Sequence, residues 1–139
     1  SEQKESWQLT YEEGRKVIES MRFAETSNLF GNEKDNSFKS TLGAIYQTFD
    51  GKDVYPTLEE KAANLLYMLV KNHSFNDGNK RIAAALFIYF LEKNNLLFDS
   101  NKNPIIDNNT LAAMTLMIAL SKPEEKEIMC LLVLNMLNN

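Results

Sequence analysis

The chain has 139 residues, 44% of them hydrophobic and 24% charged, with a net charge of −4. That length suits one domain with a single core, and the acidic balance argues against a general binder of nucleic acid or of an anionic membrane. A single cysteine, Cys130, excludes a disulfide framework within the chain, and no apolar run is long enough to span a bilayer.

Residues 1–9 read as a flexible lead whose polar start, Ser1-Glu2-Gln3-Lys4-Glu5, lacks a signal-peptide pattern. Trp7, its only large apolar group, is placed to dock on the core. Thr10 with Glu13 forms the pattern of a capping box, and Val17, Ile18 and Met21 at helical spacing predict a helix ending near Glu25. Residues 26–36, rich in Asn, Gly, Ser and Asp, read as loop, and Phe38 with Leu42 suggests a short helical piece.

The runs on either side of Asp50-Gly51 predict a hairpin over 44–55, since Asp-Gly between β-prone stretches favours a tight two-residue turn. Pro56 ends it, and Thr57-Leu58-Glu59-Glu60 is a second capping box. The helix it opens runs to about Asn72 with a broad apolar face and delivers His73 at its end. After a polar loop comes Ile82 to Leu91, apolar on nearly all sides and therefore central in a bundle. Leu96 to Phe98 and Pro104 to Ile106 suggest a second small hairpin. Asp107 to Asn109 offers caps for a helix over 110–120, and Ser121-Lys122-Pro123-Glu124 opens the last helix, with Glu124 as its capping partner. Cys130, set among Ile128, Met129, Leu131 and Leu132, reads as a buried thiol, which fits a reducing, cytoplasmic compartment.

The loop between the two central helices carries the chemistry. His73-Ser74-Phe75-Asn76-Asp77-Gly78-Asn79-Lys80-Arg81 holds the only histidine in the chain. A helix N-terminus presents unpaired N–H groups and a positive dipole end, which suits phosphate. Asn79, Lys80 and Arg81 stand where a polyphosphate would bind, Gly78 allows close backbone approach, and Asp77 suits a divalent cation. His73 suits proton transfer near neutrality. Phe75 is the aromatic expected to pin the loop to the core, while Ser74, alternating with it, is expected to face outward. Singly, each residue has a plain structural explanation: Asn-Asp-Gly-Asn is a common turn composition, and Lys-Arg is often a solvated pair. Their convergence on the first turn of an apolar helix is what points to a site.

This stretch resembles the signature of the Fic/Doc superfamily, H-x-F-x-D/E-G/A-N-G/K-R, at His73, Phe75, Asp77, Gly78, Asn79, Lys80 and Arg81. The resemblance extends from about Tyr11 to the C-terminal end. It implies an all-α fold of five to six helices with a small β-hairpin flap, and a catalytic domain over 10–139. It further implies an ATP-dependent transferase acting with Mg²⁺ on a hydroxyl of a target protein. His73, Asp77 and Arg81 are the catalytic candidates, Gly78, Asn79, Lys80 and Arg81 the nucleotide-binding ones, and Asp77 the metal ligand. The flap over 44–55 would hold the protein substrate by strand addition, and an antitoxin or regulatory domain would restrain the activity.

Which group is transferred depends on departures from the pattern. AMP-transferring Fic proteins mostly have Gly where Lys80 stands, and a second Arg at the position of Ala84. Doc has Lys at the former, but has Asn at the position of Ala85, and differs within the motif at Ser74 and Gly78. Doc-like phosphoryl transfer is therefore favoured, with AMP transfer as the alternative and a non-catalytic nucleotide- or peptide-binding module as the reading from another class. Ser121 to Glu125 fits the first five positions of an inhibitory helix motif, but Lys126 breaks the sixth, so this stretch is expected to open the last core helix instead.

Overall fold

The structure, a computed structural model, describes residues 7–138. Most of the expected lead, 1–6, lies outside the described residues; within 7–9, Trp7 packs edge-on against Tyr89 with ring centroids 5.8 Å apart. Six helices follow: α1 (Tyr11–Met21), α2 (Ser37–Ala44), α3 (Leu58–Asn72), α4 (Asn79–Lys93), α5 (Asn108–Leu120) and α6 (Lys126–Leu137). One antiparallel pair, β1 (Thr48–Phe49) and β2 (Lys52–Asp53), completes the expected class, a helical domain with a small hairpin.

The helix starts are set by local chemistry. Thr57 and Glu60 form the full reciprocal box at α3, with Glu60 N donating to Thr57 Oγ1 (3.0 Å) and Thr57 N to Glu60 Oε1 (3.2 Å). At α1 only half of the box forms. Thr10 Oγ1 accepts from Glu13 N, while the Glu13 carboxylate accepts from Trp7 Nε1 (3.2 Å) and Tyr89 Oη (3.0 Å). Two buried-side donors outcompete one backbone N–H, and they tie α1 to α4. Before α6, the capping carboxylate is Glu125 rather than Glu124, accepting from Lys122 N across a 3₁₀ turn at Pro123–Glu125. The stretch from Ser121 thus opens a core helix, as expected.

α3 and α4 form the centre. They pack on each other, with α5 against both, α2 and α6 against α3, and α1 against α4. Phe30, Phe38, Phe75, Phe87 and Phe90 fill the core between them. α4 is apolar nearly all round because neighbours cover it on several sides. No helix among the described residues is long and apolar enough to cross a membrane. Cys130 is only partly buried, with its Sγ 3.8 Å from Asn64 Oδ1, and burial pushes its thiol up from the ordinary value.

The hairpin is narrower than 44–55. Ala44 closes α2, Ile45 is drawn into the core, and Tyr46 turns so that its hydroxyl accepts from Leu9 N (2.8 Å). These residues bury a helix end instead of alternating along a strand. Asp50 (φ 54°) and Gly51 (φ 77°) make the tight turn that Asp-Gly predicts. The hairpin is tied down by Lys61 of α3, 6% exposed, whose Nζ donates to Asp53 Oδ2 (3.0 Å) and to the Tyr55 carbonyl. The second expected hairpin reduces to a paired turn, with Phe98 bridged to Pro104 and Ile105 N donating to Leu97 O (2.7 Å).

Candidate functional site

α3 stops because His73 adopts the left-handed conformation (φ 51°, ψ 51°), and α4 starts from Gly78, also left-handed (φ 91°). Histidine is among the few non-glycine residues that tolerate this region. At Gly78 there is no such tolerance. A Cβ there would lie 2.3 Å from the Phe30 ring, so only glycine lets the chain turn over that ring.

The loop between them is held from beneath. Asn79, buried, accepts from Phe75 N through Oδ1 (2.9 Å) and donates from Nδ2 to Phe75 O (2.7 Å). Phe75 is buried against Phe38, with centroids 5.2 Å apart, which matches the pin expected of it. Ser74 does not face outward. It is 0% exposed, with its Oγ 2.6 Å from Ser37 Oγ. The two-residue alternation behind the outward expectation holds for extended strands, and the left-handed turn at His73 breaks it.

The loop is also held from the side, by a segment whose composition reads only as loop. Gly31 N donates to Asp77 O (3.0 Å), Asn76 N to Asn32 O (2.9 Å) and Lys34 N to Ser74 O (2.9 Å). Arg15 fixes that segment to α1 through Gly31 O (2.8 Å) and Glu33 Oε2 (3.4 Å). Support therefore runs from α1 through residues 30–34 to the motif. Phe30, a lone aromatic in a polar stretch, is the signal that could have exposed this role, by the same logic that marks Phe75.

Three features face outward. His73 is exposed, with its Nδ1 2.8 Å from Lys34 Nζ. A lysine ammonium can only donate, so Nδ1 accepts and the neutral ring carries its proton on Nε2. Arg81 pairs with Glu25 and, at 3.5 Å, with Asp77 Oδ1, and its guanidinium lies 5.0 Å over the Phe30 ring. Lys80 is exposed and enters no ion pair among the described residues. The first turn of α4 has no side-chain cap, which leaves its leading N–H groups without a side-chain partner. The Asn79 side chain is taken up by Phe75, and what it offers an anion is its backbone N–H.

Of the residues singled out in the sequence, His73, Asp77, Gly78, Asn79, Lys80 and Arg81 thus share one loop and one helix turn. Lys34, Glu25 and Phe30 join them from elsewhere in the chain. A cavity of about 520 Å³ lies between Val54, Tyr55 and α6 and includes none of the motif. The arrangement at the motif can hold an anion at a helix N-terminus between cations, beside a carboxylate and an imidazole.

A family model described as the Fic/DOC family matches residues 8–91. Toxin Doc of Mycolicibacterium smegmatis is 51% identical over 47 residues, which is 34% of this chain and 36% of that protein. The match thus spans about a third of that relative's length. No solved structure matches.

Proposed function

This chain belongs to the Fic/DOC family, and from that premise we propose that it transfers a phosphoryl group from ATP to a hydroxyl of a target protein. Members of the family are typically enzymes that modify proteins. The observation that carries the reading is the meeting of His73, Asp77, Lys80 and Arg81 around the uncapped start of α4.

In this reading His73 accepts the proton of the attacking hydroxyl as its oxygen bonds to the γ-phosphorus and the bond to the β-phosphate breaks, with ADP leaving. Lys80, Arg81 and the α4 N–H groups hold the phosphate oxygens, so the protein acts by position and charge. Among the described residues there is no cluster of three or more acidic, histidine or cysteine ligands. A cation would therefore rest on Asp77 and on phosphate oxygens, which fits Mg²⁺, an ion that takes one or two carboxylates and keeps its waters. Its contribution there would be to neutralise charge on the phosphate. Lys80, an exposed cation at the second position of α4, and Ala84, where AMP-transferring relatives carry an arginine, support phosphoryl over AMP transfer.

The target segment pairs with the exposed hairpin, whose anchor Lys61 lies about three turns of α3 before His73. The likeness to a protein named Toxin Doc supports a toxin restrained by an antitoxin, and the site of action in this reading is the cytoplasm. We assign the catalytic unit to residues 10–139.

The test is a paired assay with α- and γ-labelled ATP, Mg²⁺ and cell extract, followed by mass spectrometry of the modified proteins. Label from the γ position only, with a mass gain of one phosphate, is the expected result. Label from the α position would mean AMP transfer, and no labelled protein from either would leave a binding module.

A further inference from the structure

Toward the N-terminal end of α3, away from the motif, a cavity of about 520 Å³ lies between the exit of the hairpin and α6. Val54 and Tyr55, which follow β2, form one wall, and Leu131 and Leu134 of α6 form another. We propose that this cavity holds an arginine side chain of the target protein, carried by the segment that pairs with the hairpin. The proposal rests on the hairpin reading of the preceding section and adds a second point of recognition, away from the reacting hydroxyl.

The charge of the lining selects a cation. Glu60, Glu124 and Glu127 line the cavity against one ammonium, Lys126. That ammonium is drawn aside, with its Nζ 5.6 Å over the ring of Tyr67, which is not part of the cavity wall. Glu124 and Glu127 enter no ion pair among the described residues. A phosphate would be repelled here, which separates this cavity from the nucleotide site. A buried polar group points the same way. Asn64 is 7% exposed, and its Nδ2 donates to Glu60 O (2.9 Å), which turns Oδ1 toward α6. There Oδ1 meets only the Cys130 thiol, at 3.8 Å, and a thiol is a weak donor. A buried carbonyl oxygen in that position is ready for a strong donor from a ligand. Glu60, one turn earlier on the same face of α3, spends Oε1 on Thr57 and leaves Oε2 without a hydrogen bond among the described residues. Two acceptors a turn apart suit the planar fork of a guanidinium, and Val54, Leu131 and Leu134 suit its apolar stem. Asn64 lies about 14 Å along α3 from His73, so an extended segment runs from the cavity to the motif in about four residues.

The discriminating experiment titrates ¹⁵N-labelled protein with N-acetyl-arginine methylamide and with its neutral isostere, N-acetyl-citrulline methylamide. It follows the Asn64 side-chain amide and the backbone N–H groups of Val54 and Tyr55. The arginine probe should bind at least about tenfold more tightly than the citrulline probe. The double variant Glu124→Gln with Glu127→Gln changes exposed positions and should fold, and Asn64→Leu is the second variant. Each should cut the preference about fivefold or more. In extract with γ-labelled ATP, the double variant should label protein at least about fivefold more slowly than the wild type, with ATP affinity unchanged within about twofold. The labelled peptides should carry an arginine about four residues from the modified hydroxyl. Equal binding of the two probes overturns the cation site, and so does a preference that survives both variants. Arginine preference with unchanged labelling by the double variant overturns the assignment to the target. A wild type that prefers the arginine probe but labels no protein overturns the transferase reading and, with it, the target as occupant.

Discussion

Lys34 Nζ sits 2.8 Å from His73 Nδ1, joining residues 39 apart in the chain. The lysine reaches the ring because its own N–H pairs with Ser74 O, fixing its backbone beside the loop. The contact has a mechanistic consequence. In the proposed mechanism the neutral ring already carries its proton on Nε2, so the attacking hydroxyl would pass its proton to Nδ1 only after Lys34 moves off that nitrogen. His73 is the only histidine, so ¹⁵N spectra of the imidazole report this ring alone. The wild type should show a protonated Nε2 and an unprotonated Nδ1, and Lys34→Met should give a mixture of tautomers. An unchanged tautomer in the variant would mean that another group sets the ring.

His73→Asn should lower transfer by about two to four orders of magnitude while ATP still binds. Asparagine tolerates the left-handed conformation of this helix end, so loss of fold is not expected to confuse the result. Turnover near that of the wild type would make His73 a cap and nothing more.

Gly78 and Phe30 should be energetically coupled. Gly78→Ala places a methyl on the Phe30 ring at positive φ and should cost about 2–4 kcal/mol, read as a lower urea midpoint with unchanged slope. Phe30→Leu removes part of the obstruction, so the double variant should be less destabilised than the sum of the singles. Strict additivity would disprove the steric account.

Lys80→Gly should reduce γ-label transfer by about a hundredfold, because a charge on the transferring phosphate loses its partner. Arg81 remains, held by Glu25 and Asp77, so nucleotide binding should survive in part. Ala84 limits any gain of α-label, since no second arginine is present. If both label rates stay unchanged, Lys80 does not select the reaction.

Glu13 links acid stability to the α1–α4 contact. Burial pushes its carboxyl up, but hydrogen bonds from Trp7 and Tyr89, with the Thr10 backbone and the Lys93 charge, together hold it below the ordinary 4.5. A carboxylate lowered on folding stabilises the native state above its unfolded value, and that contribution is lost as pH falls through the folded one. Glu13→Gln should therefore be less stable than the wild type at neutral pH, with the gap closing in urea titrations as pH falls below the ordinary carboxylate range. A gap independent of pH would assign the loss to packing.

The amino-acid sequence alone carried whatever depends on near neighbours. The Thr57–Glu60 box, the Asp50-Gly51 turn, the apolar faces of α3 and α4 and the motif from His73 to Arg81 are patterns within a few residues, and the physics that reads them acts over the same range. Tertiary structure decided the rest. It turned Ser74 inward, drew Ile45 out of the hairpin, sent the Glu13 carboxylate to α4, and brought Lys34 to His73 and Glu25 to Arg81 across 39 and 56 residues. The contact of Lys34 with His73 arises from main-chain pairing between residues 30–34 and the motif loop, two irregular segments without periodicity. Backbone N–H and C=O groups are the same in every residue but proline, so such pairing leaves no trace in composition, and only the packed fold selects it.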